Sequence, residues 1–279
     1  MSGGNISIVG PRMSGKTTYL AALAYHQEHS ISGKKGVKYT VNPTNPEAID
    51  LKEQAGRILK TGQFLKGTEI GHKPVYEFPF YSFSIEYKPN RFTIGTKIDI
   101  TTRDYPGEVF KQLVKSTSLD ATHAEFVEDC FINKIGCAIM LSGWELGKDN
   151  EYHNMLKNFI SIMKNSNAPN NYKLAVVMSK CERGEIWPGR LDPEQDLFKI
   201  HLPKTQDLLR KKLTANNLKF FASSTFGVLG PHNPRPNRED RILKGEPASV
   251  LRDTENWKPY NLIEPLLWIT QSSKAEEKQ

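Results

Sequence analysis

The residues Gly10-Pro11-Arg12-Met13-Ser14-Gly15-Lys16-Thr17 constrain this chain more than any other stretch. They fit G-x-x-x-x-G-K-[ST], a phosphate-binding loop, provided that a strand precedes them and a helix follows. Both flanks comply. Ile6, Ile8 and Val9 read as a short buried strand running into Gly10. Thr18 to Tyr25 is rich in helix formers, with Leu20, Leu23 and Ala24 at helical spacing. In such a loop the backbone N–H groups and the positive end of the helix dipole cradle a polyphosphate. Met13, Ser14, Gly15, Lys16, Thr17 and Thr18 are the candidate contacts. Lys16 reaches toward the outer phosphates, and the Thr17 hydroxyl is a candidate Mg²⁺ ligand.

The rest of the chain reads as strands alternating with helices, which predicts one α/β domain built on a mostly parallel sheet in three layers. Ile135 to Leu141 and Leu174 to Met178 are continuous apolar runs of the kind found in central parallel strands. Val75 to Tyr87 and Phe92 to Thr102 are β-rich and separated by Lys88-Pro89-Asn90, a hairpin turn. Leu218 to Ala222 is the last strand. Helices are expected over Ile49 to Leu59, Val109 to Val114, Ala121 to Ile132, Glu151 to Asn165, Pro193 to Ile200, Lys204 to Ala215 and Leu262 to Thr270. Thr44-Asn45-Pro46-Glu47 looks like a turn or a helix cap. The domain is expected to span 1–271, with insertions near 27–74 and 226–260. The second is proline-rich and polar, with few strand or helix signals, and 272–279 is a charged, frayed tail.

With 38% hydrophobic and 25% charged residues, the composition is that of a soluble globular protein. No apolar run approaches the roughly 20 residues of a membrane helix. Met1 to Asn5 leads straight into the first strand, so no signal peptide is expected. Three cysteines, Cys130, Cys137 and Cys181, lack metal-ligand spacing and suit a reducing cytoplasm. The net charge of +7 admits a nucleic acid or an anionic membrane as partner. Yet the basic clusters, such as Arg210-Lys211-Lys212 and the scattered Arg235, Arg238 and Arg241, form no stripe with interleaved aromatics. A solvated basic surface is the simpler reading.

Two further motifs fall at strand ends. Asp104-Tyr105-Pro106-Gly107-Glu108 contains D-x-x-G. Asp104 can hold Mg²⁺ through water, and the Gly107 N–H can sense a γ-phosphate. Ser179-Lys180-Cys181-Glu182 follows a later buried strand. At this point the sequence resembles the small GTPases of the translation-factor-related, Ras-like P-loop class, whose base motif is [NT]-K-x-D. The resemblance implies that the Lys180 stem covers a guanine base and that Glu182 accepts its N–H groups. Ser179 replaces Asn or Thr, and Glu182 is one methylene longer than Asp. Ser223-Ser224 matches the second base loop of that class.

The gap between Lys16 and Asp104 is long for a Ras-like domain, so the switch region contains an insertion. Within it Gly62-Gln63-Phe64-Leu65-Lys66-Gly67-Thr68 looks like the switch loop of the bacterial double-GTPase families associated with conflict (defence) systems. Asp104 to Glu108 and Trp257-Lys258-Pro259-Tyr260-Asn261-Leu262 look like that group too, and the likeness runs from Asn5 to Thr270. It implies that Thr68 contacts Mg²⁺ and the γ-phosphate. It also implies that Glu108 stands where Ras-like GTPases carry the glutamine that orients attacking water. Arg12, where those proteins carry a glycine, is expected to face solvent. The expectation is therefore a cytoplasmic, Mg²⁺-dependent GTPase with slow turnover, switching between GTP and GDP and answering to a protein effector or regulator. Its catalytic residues would be Lys16, Glu108 and Thr68, and its metal ligands Thr17, Thr68 and Asp104. An ATPase with the same phosphate chemistry, or a nucleotide-gated binding module with little turnover, are the alternatives.

Overall fold

A computed structural model of the chain describes residues 4–25, 28–30, 38–62, 77–88, 96–108, 125–126, 128–143, 145, 147–166, 168–230, 232–243 and 245–271. Strand β1 (Gly4–Val9) enters the glycine loop, and helix α1 (Lys16–Tyr25) leaves it. Then follow β2 (Glu28–Ser30), β3 (Lys38–Pro43), α2 (Pro46–Thr61), β4 (Phe80–Lys88) and β5 (Thr96–Arg103). The second half contributes β6 (Gly136–Ser142), α3 (Asp149–Asn165), β7 (Lys173–Ser179), α4 (Pro203–Lys212) and β8 (Leu218–Ala222). All eight strands form one sheet in the order β2-β3-β4-β5-β1-β6-β7-β8. The run β5-β1-β6-β7-β8 is parallel, and β2 to β5 form an antiparallel meander at one edge. This is an α/β fold with a mostly parallel central sheet between layers of helices, as the alternation of strands and helices predicts.

The central strands explain the layering. Along β6, Cys137, Ile139 and Leu141 point to one face of the sheet while Ala138 and Met140 point to the other. The first face is covered by α3, whose Tyr152, Met155, Leu156, Phe159, Ile160 and Met163 form the expected apolar stripe. The second is covered by α1, by α2 and by α5 (Glu264–Thr270). Both faces of β6 and β7 are buried, and a strand enclosed on both sides needs an unbroken apolar run.

Differences from expectation lie at the edges. α2 starts three residues before the anticipated Ile49, because Asn45 caps it. The Asn45 Oδ1 accepts Ala48 N–H at 3.1 Å, and Pro46 fits the first turn. Lys38–Pro43, not expected as a strand, pairs with β4 and extends the sheet. The region 226–260 was expected to lack regular structure and instead holds two small ribbons. One joins β9 (Val228–Gly230) to β10 (Asn233–Pro236); the other joins β11 (Arg238–Leu243) to β12 (Glu246–Leu251). The Pro89-Asn90 part of the turn, Val109 to Val114, positions 121–124 and 127 of the Ala121 to Ile132 segment, and the 272–279 tail lie outside the described residues. Among the described residues, no helix is long and apolar enough to cross a membrane.

Candidate functional site

Sheet register brings the phosphate motifs together. β1 and β5 run parallel side by side, and Ile8 bridges to Asp104, so the glycine loop and Asp104 emerge at the same sheet edge. Thr17, in the first turn of α1, donates its hydroxyl to Asp104 Oδ2 at 2.9 Å. Lys16 donates to the carbonyls of Gly10 (2.8 Å) and Pro11 (3.1 Å). Both charged groups are buried. Burial pushes the Lys16 ammonium below its usual range, with Asp104 and Glu108 opposing. Burial pushes the Asp104 carboxyl up, with Lys16 and Thr17 opposing. Gly15 has φ 90°, a left-handed conformation that turns the loop and favours glycine. Ser14 Oγ is buried with no hydrogen-bond partner among the described residues.

The D-x-x-G segment is fastened at its start. Tyr105 donates to Asp129, and Arg103 Nε lies 3.6 Å from the same carboxylate. Further along, Gly107 touches the loop itself. A Cβ there would lie 2.3 Å from the Arg12 nitrogen, so only glycine fits. Glu108 and Arg12 face each other at 3.9 Å, with the Arg12 side chain 71% exposed. Arg12 thus faces solvent and also meets Glu108. In water such a pair contributes little to stability.

The segment Ser179 to Glu182, expected to read a base, starts at the last residue of β7. Lys180 adopts φ 58°, which turns the chain sharply after the strand. Its ammonium is lowered to about 8, first by burial and then by Arg238 and Arg183. Glu182 is fully buried, with Arg238 Nη1 at 3.5 Å from Oε1, and Oε2 has no hydrogen-bond partner among the described residues. Ser179 Oγ donates to the Leu141 carbonyl at 3.1 Å. Ser223 Oγ donates to the Tyr260 carbonyl at 3.2 Å.

One cleft, about 950 Å³, joins Met13 to Thr18, Asp104 to Glu108, Lys180, Glu182 and Ser223. That size is at the upper end of the ~300–1,000 Å³ of small-ligand sites. Ser224 is not on its wall. Its Oγ accepts the Gly227 N–H at 2.7 Å, and its backbone pairs with Tyr260, so it ties the C-terminal segment to β8. Of the loop Gly62 to Thr68, only Gly62 is described, where it caps α2 with φ 71° and lines the cleft; Thr68 lies outside the described residues. The ribbon β11–β12 also lines the cleft, through Arg238, Asp240, Arg241 and Ser249. In the sequence, Arg238 and Arg241 stand only as scattered charge. The available signal was Gly245, two residues after an apolar pair, a hairpin turn with φ 83°.

Thr17 and Asp104 fit a Mg²⁺ ion. This ion favours oxygen ligands and is commonly held by one or two carboxylates together with substrate phosphates. No cluster of three or more His, Cys, Asp or Glu side chains suited to a metal occurs among the described residues.

No protein-family model matches the chain, and no curated protein matches it. Among solved structures it is similar to an ADP-ribosylation-factor-like GTP-binding protein (small COPII coat GTPase SAR1) from Encephalitozoon cuniculi, in complex with GDP. That similarity has 11% identity and a TM-score of 0.37, and it covers 80% of this chain and 70% of the other.

Proposed function

We propose that the chain is a Mg²⁺-dependent GTP-binding and GTP-hydrolysing switch. The observation that carries the reading is a single cleft joining Lys16, Thr17 and Asp104 at one end to Lys180 and Glu182 at the other. That arrangement suits a ligand with a polyphosphate and a base held apart by a sugar.

At the phosphate end, Lys16 would exchange two carbonyl acceptors for phosphate oxygens, a stronger charge-assisted contact. The buried Ser14 hydroxyl and the N–H groups at the start of α1 add donors. Thr17 and Asp104 would hold Mg²⁺, which when bound would offset the charge of the phosphates. Glu108 would orient water, and Arg12 beside it offsets the carboxylate's charge near a phosphate. A carboxylate in that place repels the phosphate more than an amide does, so slow intrinsic turnover follows. At the base end, Glu182 would accept the N–H groups of guanine, which adenine presents differently.

The switching element would be Thr68 with the Gly107 N–H, since only contacts absent with GDP let a γ-phosphate shift a conformation. A protein effector would read that shift. The setting, on the resemblance of the motifs, is a bacterial conflict system. A strain lacking the chain should then lose protection against invading DNA, and an unchanged strain would remove that setting.

Hydrogen exchange tests the switch. A non-hydrolysable GTP analogue with Mg²⁺ should protect 62–70 and 104–110 more than GDP does. Equal exchange in both states would leave a constitutive nucleotide-binding fold. Single-turnover hydrolysis tests the chemistry, and GTP binding without measurable cleavage would favour a nucleotide-gated binding module.

A further inference from the structure

Two groups at the base end lack the partners that their burial calls for. Glu182 Oε2 is buried and makes no hydrogen bond among the described residues. A buried polar atom left without a partner is uncommon and needs an explanation. Next to it, Arg238 Nη1 stands 3.5 Å from Oε1. That is long beside the roughly 2.7–2.9 Å of a charge-assisted bond. The pair is enclosed, with 9% and 0% of the two side chains exposed. An enclosed ion pair this loose recovers little of its desolvation cost by itself.

Arg238 is nevertheless held firmly from behind. Its Nε donates to Asp240 Oδ1 at 2.6 Å, and its guanidinium lies 5.4 Å from the Phe226 ring centroid. Asp240 in turn accepts from Ser249 Oγ at 2.8 Å and from Arg183. The second terminal nitrogen, Nη2, makes no hydrogen bond with any described residue. One ion pair on two cleft-lining residues therefore carries an acceptor and a donor that no described residue fills. Ser179 does not supply the donor, because its hydroxyl is given to Leu141.

We propose that Arg238 is a base-specificity residue that works with Glu182, donating to the O6/N7 edge of guanine while Glu182 accepts from the neighbouring N–H edge. This rests on the guanine-nucleotide reading above. The chemistry is complementary on both sides. A carboxylate only accepts and a guanidinium only donates. Guanine carries the O6 and N7 acceptors that arginine contacts in bidentate fashion, whereas adenine puts an amine where O6 would be. Arg238 would then face a donor, which penalises adenine. The crowding of Lys180, Arg183 and Arg238, which helps lower Lys180 to about 8, makes this corner favourable to an acceptor edge. Base choice would thus depend on a ribbon outside the main sheet.

Equilibrium binding of GDP, 7-deaza-GDP and ADP to the full chain and to Arg238→Ala and Arg238→Lys tests this. The 7-deaza analogue lacks the N7 acceptor. Wild-type protein should bind it about tenfold more weakly than GDP, the loss of one good contact. Arg238→Ala should weaken GDP about tenfold, bind GDP and 7-deaza-GDP alike, and narrow the gap to ADP. Arg238→Lys keeps the charge but loses the planar fork, so it should behave like Arg238→Ala. If Arg238→Ala does not fold, Arg238→Lys decides. Equal weakening of all three ligands would make Arg238 a structural counter-ion and overturn its role. So would a wild-type protein indifferent to N7. A wild-type protein that binds no GDP, or takes ADP equally, removes the guanine reading and this proposal with it. That failure is visible before any variant is made.

Discussion

The phosphate end of the cleft is assembled by the main sheet, whereas the base end is finished by a two-stranded ribbon. Asp104 meets Thr17 because β1 and β5 are parallel neighbours in fixed register. Glu182 is also placed by the sheet, through β7, but its partner Arg238 arrives 56 positions later on β11. A two-stranded ribbon is marginal alone and takes its stability from what it packs on. Here β12 contributes the buried Ala248, Val250 and Leu251. Binding energy should therefore depend most on the sheet-built end, and base discrimination on the ribbon-built end.

Five substitutions sharpen or break that contrast. Lys16→Ala should have the largest effect, weakening GTP, GDP and ATP alike by at least ~10-fold, since it removes a charge-assisted phosphate contact common to them all. A fluorescent-nucleotide titration would show it, and unchanged affinity would mean that the glycine loop does not bind phosphate. Glu182→Ala should leave phosphate binding in place and remove on the order of 1–3 kcal/mol of preference for GTP over ATP. Paired titrations with GTP, xanthosine triphosphate and ATP read that difference. A uniform loss for all three would make Glu182 a fold residue.

Thr17→Ala should act more narrowly. Nucleotide affinity in EDTA should stay near wild type, while the Mg²⁺ needed for half-maximal GTP binding rises several-fold through a lost hydroxyl ligand. An unchanged Mg²⁺ requirement would place the metal elsewhere. The smallest effects come as a pair. Ser14→Ala removes a hydroxyl with no partner among the described residues, so it should weaken nucleotide binding without lowering the melting temperature. Ser224→Ala removes the acceptor for Gly227 N–H, so it should cost about 1 kcal/mol of stability without changing nucleotide affinity. The opposite pattern would exchange the roles given to the two serines.

How far the sequence reveals these features follows the same division. The glycine loop and the Lys180-x-Glu182 turn stand at the ends of β1 and β7, whose buried runs are legible because burial on both faces dictates them, whereas Asp104 follows β5, where Ile98 and Ile100 alternate with polar residues. α3 is legible for a similar reason, since its six buried residues recur at helical spacing. β3 was missed although Lys38, Thr40 and Asn42 alternate with Tyr39 and Val41, because the stretch is short and continues a glycine- and lysine-containing loop. β11 and β12 were missed because four of the six residues of β11 are charged and β12 opens on Glu246-Pro247, so neither shows a clear apolar alternation in the sequence. Ser224 matched a motif by position, but its hydroxyl serves a turn. Chain position does not determine which way a small hydroxyl points. Arg238 became visible only through its contact with Glu182, since pairing across 56 residues leaves no local pattern.

The central claim is that this cleft prefers guanine nucleotide through its base end and holds it through its phosphate end. Competition against a fluorescent GDP bound to wild-type protein in Mg²⁺, with GTP, GDP and ATP titrated in parallel, tests both halves in one experiment. GTP and GDP should displace the probe at similar concentrations, and ATP should require at least ~10-fold more. ATP displacing the probe as readily as GTP would contradict the account and favour an ATPase.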